Sequence, residues 1–102
     1  MVIPKEFVLF GQKIKVKIDT SILASDDAEG LALYRENTIK IAGHSVVWPQ
    51  KTSREEQVFL HELVHFILYS MHEDDLRKNE KFVDVFASLL HQALITAKGV
   101  LK

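Results

Sequence analysis

The chain has 102 residues, 47% hydrophobic and 26% charged, which suits one soluble domain spanning residues 1–102 around a modest core. A formal charge of −1 gives no electrostatic reason to bind nucleic acid or an acidic membrane surface. There is no cysteine, which excludes disulfides, cysteine zinc ribbons and thiol nucleophiles, so any metal must rest on His and carboxylates.

The first residues, Met1-Val2-Ile3-Pro4-Lys5, lack the charged start and apolar run of a signal peptide. No apolar run approaches the ~20 residues of a membrane span. A cytoplasmic protein is expected, free of nucleic acid and membrane, as a monomer or weak oligomer.

Residues 7–10 read as a short strand and Gly11-Gln12 as a tight turn. In the next strand Ile14, Val16 and Ile18 alternate with Lys13, Lys15 and Lys17, the period-two pattern of a half-buried strand with a solvated lysine face. Residues 19–29 are polar and predict a loop or short helix. A second strand pair, 31–34 and 38–42, is expected around Arg35-Glu36-Asn37, opened by Gly30. The connection 44–51 contains Trp48, a packing plug by its place beside Pro49, which bars helix there.

A helix is predicted from Thr52-Ser53 to about residue 70 or 72, with Ser53-x-x-Glu56 as its capping box. Residues 73–79 are charged and predict a turn. A second helix follows from Asn79 or Glu80 to Ala97, with Phe82, Val83, Phe86, Leu89, Leu90, Ala93 and Leu94 at helical spacing. Strands first and two long helices after them define an α+β class: a small antiparallel or mixed twisted sheet packed against both helices.

The first long helix carries His61-Glu62-Leu63-Val64-His65, an HExxH motif. Two imidazoles four residues apart share one helical face, ~6 Å between Cβ atoms, and can hold one ion, with Glu62 on nearly the same side. Catalytic zinc takes three protein ligands and keeps one position for water. His72 is not a suitable third ligand: Leu68 and Met71 replace the Gly and His of the three-histidine pattern. In an unbroken helix it would stand ~10 Å along the axis from His65. Glu80 is the better candidate, brought back beside His65 if the two helices pack antiparallel. Asp84, one turn later, could accept the outer N–H of a ligand histidine. His91 lies ~16 Å beyond Glu80 along the axis and reads as a core or surface histidine.

HExxH followed by Glu-x-x-x-Asp resembles the gluzincin metallopeptidases, and in size and spacing the phage- and prophage-type members related to the ImmA/IrrE group. The likeness runs from about Gly30 to Ala93. It implies a minimal zincin-like fold and a zinc metalloendopeptidase holding one Zn2+ per chain on His61, His65 and Glu80. It also implies Glu62 as general base, Asp84 as the carboxylate behind a ligand histidine, and a strand of Thr38, Ile39, Lys40, Ile41 and Ala42 as the edge that pairs with an extended substrate. Its implied partner is a peptide or protein, with a repressor or antitoxin among the candidates. The larger members steady the oxyanion with a Tyr or His from a segment this chain lacks, which leaves Tyr34, His44, Tyr69 and His72 as stand-ins. The competing expectation is a latent or vestigial zinc-binding interaction module of phage or mobile-element origin.

Overall fold

The computed structural model describes residues 1–43 and 51–101, with the backbone alone at Lys51 and Thr52. His44, Trp48 and Pro49, and the connection expected around them, lie outside the described residues. Four strands form a mixed sheet: β1 (Glu6–Leu9), β2 (Gln12–Ile18), β3 (Gly30–Leu33) and β4 (Thr38–Ile41). The helices are α1 (Ile22–Ser25), α2 (Lys51–Ser70), α3 (Asp74–Lys78) and α4 (Glu80–Thr96). The α+β arrangement is as the sequence predicts. None of the helices is long and apolar enough to cross a membrane.

The strand order is β1-β2-β4-β3, so the two hairpins meet through a parallel β2–β4 pairing that aligns Val16 with Ile39 and Ile18 with Ile41. This corrects the expectation for residues Thr38 to Ala42. β4 has neighbours on both sides, and its backbone groups are engaged by the sheet. The edge of this half of the sheet is β3.

The first hairpin turns at Phe10-Gly11, one residue before the expected Gly11-Gln12. Both residues are left-handed, with φ of 51° and 77°, the pattern of a type I′ turn that matches the twist of the strands it joins. Glycine takes the second central position, which forces Phe10 into a conformation that L side chains resist.

One sheet face packs on the helices. Ile14, Ile39 and Ile41 meet Phe59, Leu60, Val64 and Phe66 in the core, each worth ~1.5–3 kcal/mol when fully removed from water. The other face carries the lysine row, where Lys13 pairs with Glu6 at 3.2 Å. Ile18, expected inward, ends its strand and is 58% exposed.

Three helix expectations change. The helix α2 already runs at Lys51, so Ser53 lies inside it and the capping box does not form. Glu56 is instead buried against His91 of α4, with Nε2 and Oε1 2.8 Å apart. At the other end α2 stops at Ser70. His72 is left-handed (φ 60°), and the chain reverses through Glu73 N–H to Leu68 C=O at 2.9 Å and His72 N–H to Tyr69 C=O at 3.0 Å, a Schellman closure. His72 is therefore not helical as expected, although it still stands apart from the other histidines. The expected turn at 73–79 contains α3, whose first turn holds Asp74 and Asp75 and whose last holds Arg77 and Lys78, both favourable to its dipole.

Candidate metal centre

Helix α2 presents His61 and His65 one turn apart. Helix α4 begins where the Asn79 side chain accepts the Phe82 N–H at 3.1 Å, an N-cap that fixes Glu80 in the first turn facing α2. The three side chains converge. His61 Nε2 and His65 Nε2 are 3.2 Å apart, and each is 3.2 Å from a different oxygen of Glu80. A tetrahedral zinc with bonds of ~2.0–2.1 Å requires ligand atoms ~3.3 Å from one another. The donor set and spacing fit a zinc ion with three protein ligands, and these are the three residues that cluster among those described.

Asp84 stands behind the first ligand, with Oδ1 2.7 Å from His61 Nδ1. A carboxylate at that distance can favour the tautomer protonated at Nδ1, which frees the Nε2 lone pair for a metal. His65 differs: its Nδ1 is buried with no hydrogen-bond partner among the described residues. Burial lowers the pKa of His65, and the neutral ring this favours is the form that ligates a metal.

Glu62 is 8% exposed. Burial, followed by the charges of Glu80 and Asp84, pushes its pKa up to about 8. It sits under the start of the edge strand, where a Cβ on Gly30 would fall 2.6 Å from Val58 Cγ1 and 2.9 Å from Glu62 Oε2. Glycine is required there by close approach. A cavity of about 280 Å³ opens alongside, lined among others by Gly30, Arg54, Gln57, His61, Glu62 and Asp84. Arg54 and Glu29 form an ion pair between α2 and the residue preceding β3.

Beyond His65, Tyr69 continues the same helical row. Tyr34, at the far end of β3, stacks on it with ring centroids 4.3 Å apart and meets Phe66 edge-on at 5.1 Å. The Arg77 guanidinium lies 5.2 Å from the Tyr34 ring centre and 5.8 Å from that of Tyr69. Burial raises the Tyr34 pKa. Of the oxyanion candidates, Tyr34 and Tyr69 thus form one aromatic wall a turn past the ligands. His72 lines a hollow with Phe10 and Asp74 that Tyr69 and Arg77 also border.

All five residues expected at the site, His61, Glu62, His65, Glu80 and Asp84, are brought together. The strand from Thr38 to Ala42 is not: β3 takes the place beside Glu62. Sequence reasoning missed Gly30's contact with Glu62 and the Glu56–His91 pair. The second had a faint signal, since His91 follows Asp84 by seven residues and so shares its face. Comparison with protein-family models, with curated proteins and with solved structures finds no match.

Proposed function

We propose that the protein is a zinc-dependent metallopeptidase of the gluzincin type, with His61, His65 and Glu80 as metal ligands and Glu62 as general base. The observation that carries this reading is the convergence of three side chains from two helices, with His61 Nε2 and His65 Nε2 3.2 Å apart, each 3.2 Å from one Glu80 oxygen, and Asp84 behind His61. A zinc ion held there would supply a water of lowered pKa and a Lewis acid for the scissile carbonyl.

The chain's own residues supply the rest. Glu62 in its carboxylate form would accept a proton from the attacking water and deliver it to the leaving amine, and the burial that raises its pKa to about 8 makes that carboxylate a stronger base. Asp84 keeps His61 in the ligating tautomer. The edge of β3, unpaired among the described strands, would offer backbone N–H and C=O groups to an extended peptide beside Glu62. The Gly30 end of the cleft is polar and the Tyr34 end aromatic.

A second reading, a latent zinc-binding interaction module, is favoured by the burial of Glu62 to 8% exposure. One experiment separates them. Purified protein is assayed for zinc by mass spectrometry and for hydrolysis of a mixed peptide library, alongside Glu62→Gln. The peptidase reading requires about one zinc per chain in both proteins and hydrolysis in the wild type alone. Zinc without hydrolysis supports the module, and no zinc overturns both.

A further inference from the structure

The cavity beside Glu62 has a direction. Asp84 meets His61 and His91 meets Glu56, so α4 runs antiparallel to α2. Ser88, one turn past Asp84, therefore lies farther from the metal site, level with Gln57, and both line the cavity. Arg54 precedes His61 by seven residues, ~10 Å along the helix axis, and borders the far end with its ion-pair partner Glu29. The space is a trench that starts at the metal site and ends on that pair. At about 280 Å³ it falls just under the roughly 300–1,000 Å³ of small-molecule pockets and suits a single side chain.

Glu62 lines the trench at 8% exposure and has no hydrogen-bond or ion-pair partner among the described residues. A carboxylate buried that deeply without a partner is costly unless a ligand answers it. The charge around it is also unbalanced. Among the described lining residues, Glu29, Glu62 and Asp84 set three carboxylates against the one guanidinium of Arg54. A zinc ion with Glu80 would return one positive charge, which still leaves a carboxylate in excess. An acidic side chain entering the trench would pass Glu62 and Asp84 to reach a guanidinium that Glu29 already holds.

We propose that this trench takes the side chain of a lysine or arginine of a bound peptide. Its methylenes would lie along Val58 and Ala87, which wall the trench midway, and its cationic head would reach Glu29. Glu29 can accept that head and keep Arg54, because an ionised carboxylate offers about four acceptor sites. Its present ion pair is partly exposed, so sharing it costs little.

The place of this residue in a substrate rests on the peptidase reading. Glu62 returns its proton to the leaving nitrogen, so that nitrogen stands nearest Glu62. The side chain entering beside Glu62 is then that of the residue whose amine is released.

Two measurements at low salt, where exposed charges are least screened, test this. The first is binding to the metal-free protein, in which no bond is cut, by fluorescence anisotropy of labelled alanine octapeptides carrying one central Lys, Leu or Glu. The Lys peptide is expected to bind about tenfold more tightly than the Glu peptide. Glu29→Gln should cut that ratio to about threefold or below, and Arg54→Gln should widen it. Glu6→Gln, beside the lysine row, should leave it unchanged. The second is mass spectrometry of the fragments that the zinc-loaded protein makes from a mixed peptide library. Their new N-termini should be enriched in Lys and Arg, and less so with Glu29→Gln. A Lys peptide bound no more tightly than the Glu peptide, a ratio indifferent to Glu29→Gln, or new N-termini without the enrichment would each overturn the proposal. Zinc binding without hydrolysis, with the Glu29-dependent preference intact, would overturn the peptidase reading and support the trench.

Discussion

Asp84 Oδ1 of α4 lies 2.7 Å from His61 Nδ1 of α2, so the helix that carries the candidate ligand Glu80 also places a carboxylate against a histidine of its neighbour. His65 Nδ1 has no equivalent neighbour among the described residues. The two imidazoles are therefore chemically unequal as candidate ligands, one beside a carboxylate and one held by packing.

Asp84→Ala is therefore expected to weaken zinc binding by ~10–100-fold while leaving the fold intact, since the Asp84 side chain is 66% exposed. Competition against a chelating dye measures this. An unchanged affinity would remove Asp84 from the site.

The raised pKa of Glu62 has a stability consequence in the metal-free protein. Its folded-state pKa of about 8 lies above the ordinary 4.5. The stability it contributes is therefore fully present below pH 4.5 and is lost as pH rises through about 8. At 1.36 kcal/mol per pKa unit the loss is on the order of a few kcal/mol. Metal-free Glu62→Gln should match or trail the wild type near pH 4.5 and exceed it at pH 8.5. Urea denaturation at both pH values tests this, and parallel pH profiles for the two proteins would contradict it.

Gly30→Ala places a methyl 2.6 Å from Val58 Cγ1 and 2.9 Å from Glu62 Oε2. The expected cost is ~1–3 kcal/mol of stability, from overpacking. Because Glu62 must shift while the ligands need not, peptide hydrolysis should fall more steeply than zinc affinity. Equal losses in both would mean that the strand start positions the whole site rather than the base.

Glu56 and His91 form a buried pair, and Glu56 Oε2 also meets the Met1 amino group at 3.2 Å, so removing Glu56 strands both of its partners. Glu56→Ala is expected to destabilise by ~3–5 kcal/mol, and Glu56→Leu combined with His91→Leu by much less. Hydrogen bonding from His91 holds the Glu56 carboxyl below its ordinary pKa. Its contribution is thus present above pH 4.5 and lost as pH falls through the lowered value. Thermal melts of the three proteins across pH 3–7 would show a shallower acid limb without the pair.

The metal residues were legible in the sequence because helical geometry alone relates them. Four-residue spacing puts His61 beside His65 and Glu80 beside Asp84, and the antiparallel return of α4 needs only a short link. The edge strand was not legible. β3 and β4 are similar short apolar strands, and which one lies inside depends on the parallel partner β2, twenty or so residues away in sequence. Glu56 misled for a different reason: Ser53-x-x-Glu56 has the local chemistry of a cap, and only the long-range contact with His91 reveals the carboxylate's place in the core. The hairpin slipped by one residue because glycine suits either central position of such a turn.

The candidate ligands come from two helices separated by the turn that contains α3. An ion seated there would act as a removable cross-link, closing the chain between His65 and Glu80 and shrinking the conformational freedom of the unfolded state much as a covalent bridge does. Docking of α4 and capture of the ion become one linked equilibrium, so free zinc concentration sets how firmly the last helix is held. In a chain without cysteine, that clip would take over the stapling role that disulfides play in other small domains.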